Sequence, residues 1–296
     1  MNYYYAYNFV FKSELEIPEL EVCENKDYDV EIRFDSINYD FDKFKKNRIW
    51  KTKDNYFVLK VKNIGIFLVK DANTIIIDCF ENTKEEDLRF VLLGSVFAAL
   101  LQQKKLLTLH AGCVKVDNNN CILFIGPSGY GKSTLTTAFS NLDYEILSDD
   151  VVALDIKEKQ ISIPPSFPKL RLWKDSAKQL KLNYESFSTS RVGLKKYMIP
   201  IPRFCKTKLN LKKIYLLNVY NKDEIILEEL NGAQKIKALI DNTYRIKFLS
   251  GMKLIKNHNT QILKVCSQID IVKITRPLNV FLIDELIEKI QKDLLK

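Results

Sequence analysis

The first 80 residues alternate apolar and polar side chains in short runs. These runs read YAYNFVF, DVEIRF, YFVLKV, GIFLV and TIIIDCF, and they are rich in Tyr, Phe, Val and Ile. Pro18, Gly65 and clusters of Asn and Asp separate them. Period-two alternation of aromatic and β-branched residues between such breaks is typical of half-buried strands. The pattern predicts a β-rich N-terminal region.

A change of period follows in EEDLRFVLLGSVFAALLQQKK, residues 85–105. Its apolar residues recur at intervals of three to four, and its first turn is acidic, as the positive end of a helix dipole favours. The small and apolar positions on the expected inner face are Leu88, Val91, Leu92, Ser95 and Ala99. We expect a buried connecting helix that closes a first domain at residues 1–104.

From Leu106 onward the strand pattern returns, with polar turns between the strands. Strands are predicted for the segments LLTLHAGCV, CILFI, YEILSDDVVALD, QISI and KKIYLLNVY. After Leu230 the segments GAQKIKALIDNT, NTQILKVCSQI and LNVFLIDELIEKIQKDLLK carry apolar faces at helical spacing. The sequence therefore predicts a mixed α/β domain at residues 105–296 with a helical C-terminal segment.

The composition of the chain argues against several classes of function. The longest apolar helix candidate, residues 91–101, is shorter than the roughly 20 residues that cross a bilayer, and no signal-peptide layout is present, so we expect a cytoplasmic protein without a membrane partner. Six scattered cysteines and two histidines offer no zinc spacing. The net charge of +9 comes from lysines spread along the chain. Because no nucleic-acid-binding motif accompanies it, this charge does not predict a nucleic-acid partner.

A glycine-rich stretch carries the clearest chemistry. Residues 126–133 match the phosphate-loop pattern G-x-x-x-x-G-K-[ST] in full, after the strand CILFI and before the helix STLTTAF. In that context backbone N–H groups and the helix N-terminus surround phosphate oxygens. The predicted contacts are Gly126, Pro127, Ser128, Gly129, Tyr130, Gly131, Lys132, Ser133 and Thr134, with Lys132 on the β/γ-phosphates and the Ser133 hydroxyl on Mg²⁺.

Two adjacent acids, Asp149 and Asp150, follow this loop after one short helix. A β-α-β unit with short turns would bring the ends of both strands to one edge, beside the phosphates. One carboxylate could then hold a metal while the other accepts a proton from an attacking hydroxyl. Two solvated acids at a strand end are the structural alternative. The stretch NKDE at residues 221–224 only approaches a guanine-reading N-K-x-D, because Glu224 replaces its Asp.

Further candidates are weaker when each is taken alone. His110 lies in TLHAG, on the strand before the loop strand, where a lone histidine is as well explained by a structural hydrogen bond. Arg191, Lys195 and Lys196 precede the apolar run YMIPIP and could contact a phosphate or an acceptor. Exposed surface charge is the alternative for these three.

Together, LHAGCV, LFIGPSGYGKST and ILSDDVVALD resemble the family of HPr kinase-like serine kinases. The resemblance extends over most of the chain, through RFVLLGSVFAALLQQKKLLTLHA upstream and KKIYLLN, LIDNTYR and ITRPLNVFLIDELI downstream. The early segment KSELEIPEL is similar to the N-terminal region of kinases encoded beside lasso-peptide enzymes. The resemblance implies a nucleotide-binding core of the phosphoenolpyruvate carboxykinase type, with ATP and Mg²⁺ as its cofactors. It implies Asp149 as base, Asp150 as metal-side acid, and His110 near the transferred group; the two acids could exchange roles.

The expected function is that of an ATP-dependent serine kinase whose partner is a peptide or small protein with an acceptor serine, with a lasso-peptide precursor as the expected acceptor. The glycine- and arginine-rich element of the bifunctional HPr enzymes is not found between Arg191 and Phe204. The alternatives are a kinase of HPr or of free serine, and a regulator that senses ATP without transferring phosphate. Self-association into a homo-oligomer stays open.

Overall fold

The computed structural model describes residues 1–24, 26–39, 48–180, 196–221, 223–278, 280 and 282–296. Contacts divide the chain into two units, one of Met1–Thr108 with Tyr244–Gln261 and one of Leu109–Thr243 with Ile262–Lys296. The sequence predicted two contiguous regions that meet at residue 104. The inclusion of residues 244–261 in the first unit depends on tertiary contacts, which periodicity does not register.

Helices occur in both units. They are α1 (Glu85–Val91), α2 (Phe97–Gln103), α3 (Lys132–Asn141), α4 (Lys174–Gln179), α5 (Gly232–Asp241), α6 (Ile255–Gln268) and α7 (Ile283–Leu294), with a π-helical turn at Leu92–Val96 and a 3₁₀ turn at Ile246–Phe248. Over the described part of the chain, none of these is both long and apolar enough to span a bilayer.

The first unit contains an eight-stranded sheet in the order β3-β1-β2-β4-β8-β7-β6-β5. Its strands are β1 (Asn2–Ala6), β2 (Phe9–Ser13), β3 (Glu21–Val22), β4 (Val30–Phe34), β5 (Arg48–Lys53), β6 (Tyr56–Val61), β7 (Gly65–Lys70) and β8 (Thr74–Cys79). Strand β4 pairs in parallel with β2 and β8, and the other neighbours are antiparallel. The predicted β-rich N-terminal region is confirmed.

The run YAYNFVF is a hairpin rather than a single strand. Ala6 pairs with Phe9, and the two residues between them, Tyr7 and Asn8, both have positive φ angles of 55° and 62°. Two left-handed residues in a two-residue loop form the turn whose twist suits a β-hairpin. Asn tolerates that conformation well, but Tyr does so rarely, which is why the sequence did not indicate a turn.

The predicted connecting helix is confirmed as a buried element, although it is not one regular helix. Residues 85–103 form α1, the π-helical turn and α2 in direct succession. Its expected inner positions are all buried, and the ring of Phe97 stacks on Phe11 with centroids 4.9 Å apart. The helix therefore covers the apolar face of the strands in its own unit.

The second unit contains the strands that position the site. They are β9 (Leu107–Leu109), β10 (Ala111–Lys115), β11 (Asn120–Ile125), β12 (Ile146–Asp149), β13 (Val152–Ile156), β14 (Ile161–Ile163), β15 (Lys169–Trp173), β16 (Lys196–Pro200), β17 (Leu209–Tyr220), β18 (Ile226–Glu229) and β19 (Asp270–Pro277). Across the main sheet the order is β12-β10-β11-β17-β19-β18, β14 pairs with the first residues of β17, and β15 and β16 form a separate ribbon. Helix α3 packs on this sheet through Phe139, whose ring lies 5.5 Å from that of Phe124.

Strand β19 corrects the expectation of a wholly helical C-terminal segment. It pairs in parallel with β17 over eight residues, from Lys213 with Asp270 to Tyr220 with Pro277, and lies inside the sheet. The stretch IDIVKITRP is rich in β-branched residues, which fit a pleated sheet better than a helix. Periodicity did not indicate this strand, because amphipathic helices flank it on both sides.

Candidate active site

Three separate points of the chain meet at one edge of the second unit's sheet. Strand β10 lies between β11 and β12 and is antiparallel to both, with Ala111 opposite Ile125 and Gly112 opposite Asp149. The start of β10 therefore lies beside the ends of β11 and β12. His110 precedes β10, Gly126 follows β11, and Asp150 follows β12. The two strand ends share an edge as the β-α-β pattern predicted.

The glycine-rich loop, residues 126–131, connects β11 to α3 and needs glycine at three positions, of which Gly129 has φ +88°. Gly126 has φ +146°, and a Cβ there would lie 2.7 Å from the Leu217 carbonyl oxygen. Gly131 has φ +97° and is the N-cap of α3, so no capping side chain occupies the space before the helix. A helix start of this kind directs backbone N–H groups and a partial positive charge at an anion.

Lys132 extends back over this loop. Only 6% of its surface is exposed, and its ammonium group donates to the carbonyl oxygens of Gly126 (2.7 Å) and Pro127 (3.1 Å). The side chain thus lies against the backbone at the start of the loop. The contact of Lys132 with the β/γ-phosphates stays a prediction.

Ser133 and Asp149 form the first of two polar pairs. The Ser133 hydroxyl donates to a carboxylate oxygen of Asp149 over 3.0 Å, and Asp149 is 4% exposed. The pair joins the first turn of α3 to the end of β12. A hydroxyl and a carboxylate are oxygen ligands of the kind that Mg²⁺ takes in nucleotide sites.

His110 and Asp150 form the second pair. The His110 Nε2 atom lies 3.2 Å from a carboxylate oxygen of Asp150, and their side chains are 28% and 15% exposed. Asp150 has φ +73°, a left-handed conformation that costs energy in a residue other than glycine and is common at functional sites. This turn ends β12 at Asp149. The two adjacent acids therefore have different partners, and the His110 pair is the more accessible one.

Asn242 joins the loop to the His110 segment, a link that the sequence analysis did not assign. Its side-chain oxygen accepts from the Gly126 N–H (2.8 Å), and its backbone oxygen accepts from the His110 N–H (2.9 Å). Its amide nitrogen in turn donates to the Ala238 carbonyl in α5 (2.8 Å). The stretch LIDNTYR contributed to the family resemblance, but the single letter of Asn242 carries no chemistry that would mark it.

Arg276 is the second residue that sequence reasoning missed. It lies near the end of β19, and its guanidinium donates to the carbonyl oxygens of Tyr130 (3.3 Å) and Pro277 (3.0 Å). A Cβ on Gly131 would lie 3.3 Å from its Nη2 atom. A cation in contact with the phosphate-loop backbone could have been suspected only if IDIVKITRP had been recognised as a strand parallel to β17.

The predicted acceptor contacts are not tested by this geometry. Arg191 and Lys195 lie outside the described residues. Lys196 is the first residue of β16 and pairs with Trp173, but its side chain is outside the described part. A substrate role for these three residues stays a prediction.

Comparisons with known proteins give little further. No protein-family model matches the chain, and no curated protein matches it. Among solved structures it is similar to the Hpr(Ser) kinase/phosphatase from Coxiella burnetii, at 13% identity and a TM-score of 0.34, over 63% of this chain and 88% of that one. A likeness this distant carries no weight for function, which has to come from the residues of the site.

Proposed function

We propose that the chain is an ATP- and Mg²⁺-dependent serine kinase that transfers a γ-phosphoryl group to a serine hydroxyl of a peptide. One observation carries the proposal. The glycine-rich loop, the Ser133–Asp149 pair and the His110–Asp150 pair converge at one sheet edge. Phosphoryl transfer needs a phosphate cradle, a metal-side acid and a group that accepts the hydroxyl proton, and these features could supply all three.

The phosphate chain would bind to the loop and the start of α3. Backbone N–H groups of residues 126–134 and the Lys132 ammonium would bind the phosphate oxygens, with Lys132 exchanging its two carbonyl partners for phosphate. Charge-assisted hydrogen bonds of this kind are about twice as strong as neutral ones. The exchange is therefore favourable although the ammonium is already paired.

The residues present fit a magnesium ion. The Ser133 hydroxyl and the Asp149 carboxylate already lie within hydrogen-bond distance, and both are hard oxygen ligands. Among the described residues, here included, no cluster of three or more His, Cys, Asp or Glu side chains could hold a metal on its own, so the phosphates would have to supply further ligands. Mg²⁺ would complete its coordination with phosphate oxygens and water, and when bound it neutralises charge that develops on the transferred group.

The two acids would have distinct roles, and the contacts favour the exchanged assignment. Asp149, paired with Ser133, would be the metal-side acid, whereas Asp150, more exposed and paired with His110, would be the general base. In the transfer the serine oxygen bonds to the γ-phosphorus, the bond to the β-phosphate oxygen breaks, and the hydroxyl proton passes to Asp150. His110 would orient that carboxylate, and Asn242 would hold the His110 backbone beside the loop.

The acceptor that we propose is a serine-containing peptide. A serine-containing precursor peptide of the lasso type follows from the sequence resemblance, and a net charge of +9 would speed the encounter with an acidic peptide. HPr and free serine are the rival acceptors. An ATP sensor is the rival from another class, but binding alone would require no accessible acid–histidine pair.

A labelling experiment with three acceptors tests the proposal. The full chain is incubated with γ-labelled ATP and Mg²⁺ together with a serine-containing lasso-precursor peptide, with HPr, or with free serine. The proposal predicts label on a serine of the peptide and none when Mg²⁺ is chelated. Label mainly on HPr or free serine would contradict the peptide assignment, and ATP binding without transfer to any acceptor would favour the sensor.

A further inference from the structure

A pocket of about 320 Å³ lies on the side of the loop away from the two acids. The loop and the first turn of α3 form one wall through Gly129, Gly131 and Thr134, and Arg276 lies beside them. The opposite side is apolar and comes from β17 and the segment that leads into α7, namely Leu217, Leu278, Val280, Leu282, Ile283 and Leu286. Gln179 adds a further polar side chain to the lining. Small-molecule sites usually measure about 300–1,000 Å³. This pocket has the size for one flat ring system and its sugar.

Sheet order fixes where the pocket lies relative to the chemistry. The order β12-β10-β11-β17-β19 puts the loop after β11 in the middle of the edge. The ends of β12 and β10 carry Asp149, Asp150 and His110 on one side, and β17 and β19 line the pocket on the other. A triphosphate in the loop would therefore direct its transferred end to the acids and its other end to the pocket.

Arg276 stands at the boundary between the loop and the pocket. Among the described residues it has carbonyl hydrogen bonds but no carboxylate within ion-pair distance. Partial burial lowers the pKa of its guanidinium, because desolvation disfavours the charged form, although an arginine stays protonated at neutral pH. A half-buried cation with only neutral partners has capacity left for an anion, and phosphate oxygens match the planar guanidinium.

We propose that this pocket binds the nucleoside end of the nucleotide, and that Arg276 binds the phosphates that are not transferred. The inference rests on the proposed nucleotide site at the loop and adds the direction in which the nucleotide lies. The base packs on the apolar wall, and Arg276 holds the adjoining phosphates against Gly131. In this arrangement Arg276 is a binding residue, remote from the attacked phosphorus.

Calorimetry with two ligands separates the pocket from the loop. Mg²⁺-ATP and Mg²⁺-tripolyphosphate share the phosphate chain, but only ATP has a nucleoside. Wild type should bind ATP at least tenfold more tightly than tripolyphosphate. Leu282→Ser, which removes apolar contact at a half-buried wall position, should weaken ATP about tenfold and leave tripolyphosphate unchanged. Arg276→Gln should weaken both ligands about tenfold or more, and Arg276→Lys should restore part of the loss.

Lys273→Gln provides the matched control. Lys273 lies on the same strand three residues before Arg276, so its side chain is on the opposite face, where it pairs with Glu228. Its loss should change neither affinity, and unchanged thermal unfolding should show that each variant is folded. Equal wild-type affinities for ATP and tripolyphosphate, with no effect of Leu282→Ser, would overturn the nucleoside pocket and leave the kinase proposal intact. Failure of both ligands to bind would overturn the proposed function itself.

Discussion

The hydroxyl of Ser133 donates to the carboxylate of Asp149 over 3.0 Å, across sixteen positions of sequence. This hydrogen bond links Ser133, the residue after Lys132, to Asp149, the last residue of β12. In the proposed function these two oxygens are the protein's ligands to the metal ion. The neighbouring acid, Asp150, is turned away by its left-handed backbone and pairs with His110 instead.

The first prediction concerns this pair. Asp149→Asn keeps the shape of the side chain but removes its charge, so Mg²⁺ should no longer strengthen ATP binding, while metal-free ATP should bind as before. The measurement is ATP affinity as a function of Mg²⁺ concentration. Asp143→Asn, an exposed acid in a surface ion pair with Arg203, is the control and should behave like wild type. An unchanged Mg²⁺ response in Asp149→Asn would remove Asp149 from the metal site.

The second prediction concerns Asp150 as the base. Asp150→Asn should lower the rate of transfer by roughly 10²–10⁴, the usual range for general-base catalysis, with little change in Mg²⁺-ATP affinity. His110→Asn should lower the rate less, because it removes only the group that orients Asp150. Single-turnover kinetics would separate the two effects from product release. If Asp149→Asn, and not Asp150→Asn, keeps Mg²⁺-ATP affinity and loses turnover, the roles are the reverse of those proposed.

The third prediction concerns Lys132. Lys132→Ala should reduce ATP affinity by about 1.5–3 kcal/mol, the range for hydrogen bonds to a charged group. The surface variant Lys237→Ala, which removes an exposed lysine paired with Asp241, should leave the affinity unchanged. Calorimetric titration of both variants with Mg²⁺-ATP makes the comparison. Wild-type affinity in Lys132→Ala would contradict the assignment of the loop.

The fourth prediction concerns the close approach of β10 and α3 beneath the site. A Cβ on Gly112 would lie 2.0 Å from the Thr136 hydroxyl oxygen. Gly112→Ala should therefore destabilise the protein by about 1–3 kcal/mol through overpacking. Thr136→Ala removes that oxygen. The double variant should therefore lose less stability than the sum of the losses in the two single variants. Additive effects in thermal unfolding would mean that the two positions do not touch.

The fifth prediction is a pH dependence in the first unit. Burial lowers the pKa of His258 below its usual value. Above about pH 6.5 the imidazole is neutral in both folded and unfolded chains and stability is unaffected by it. As the pH falls below that value, the unfolded chain gains a proton that the folded chain resists, so stability falls until the folded pKa is reached.

Urea unfolding followed by Trp50 fluorescence, in a Trp173→Phe background, would measure this dependence between about pH 7.5 and 5.5. His258→Leu should show a smaller loss of stability on acidification than its parent. Equal losses in the two proteins would show that other groups cause the pH dependence.

Local patterns were sufficient for much of the fold and for placing several candidate site residues near one another. The loop with Lys132 and Ser133, the pair Asp149–Asp150 and the histidine before β10 are close in sequence, and short connections leave few ways to arrange them. Strand alternation likewise identified most strands of the first unit. These features depend on neighbours along the chain, which a sequence displays directly.

The missed residues depend on distant contacts. Asn242 reaches the loop from the end of α5, 116 positions after Gly126. Arg276 reaches it only because β19 inserts beside β17, a pairing that no local pattern specifies. The sequence also did not show which acid pairs with Ser133 and which with His110. The left-handed turn at Asp150 decides this pairing, and the sequence does not show which of the two acids adopts that turn.

Mass spectrometry of the acceptor peptide shows whether this sheet edge transfers phosphate to serine. A serine-containing precursor peptide is treated with Mg²⁺-ATP and either wild type or Asp150→Asn, after calorimetry has shown that both proteins bind ATP. We expect phosphoserine in the wild-type reaction and at most a trace with Asp150→Asn. Equal phosphoserine formation by the two proteins, or none by wild type with any serine acceptor despite ATP binding, would contradict this expectation.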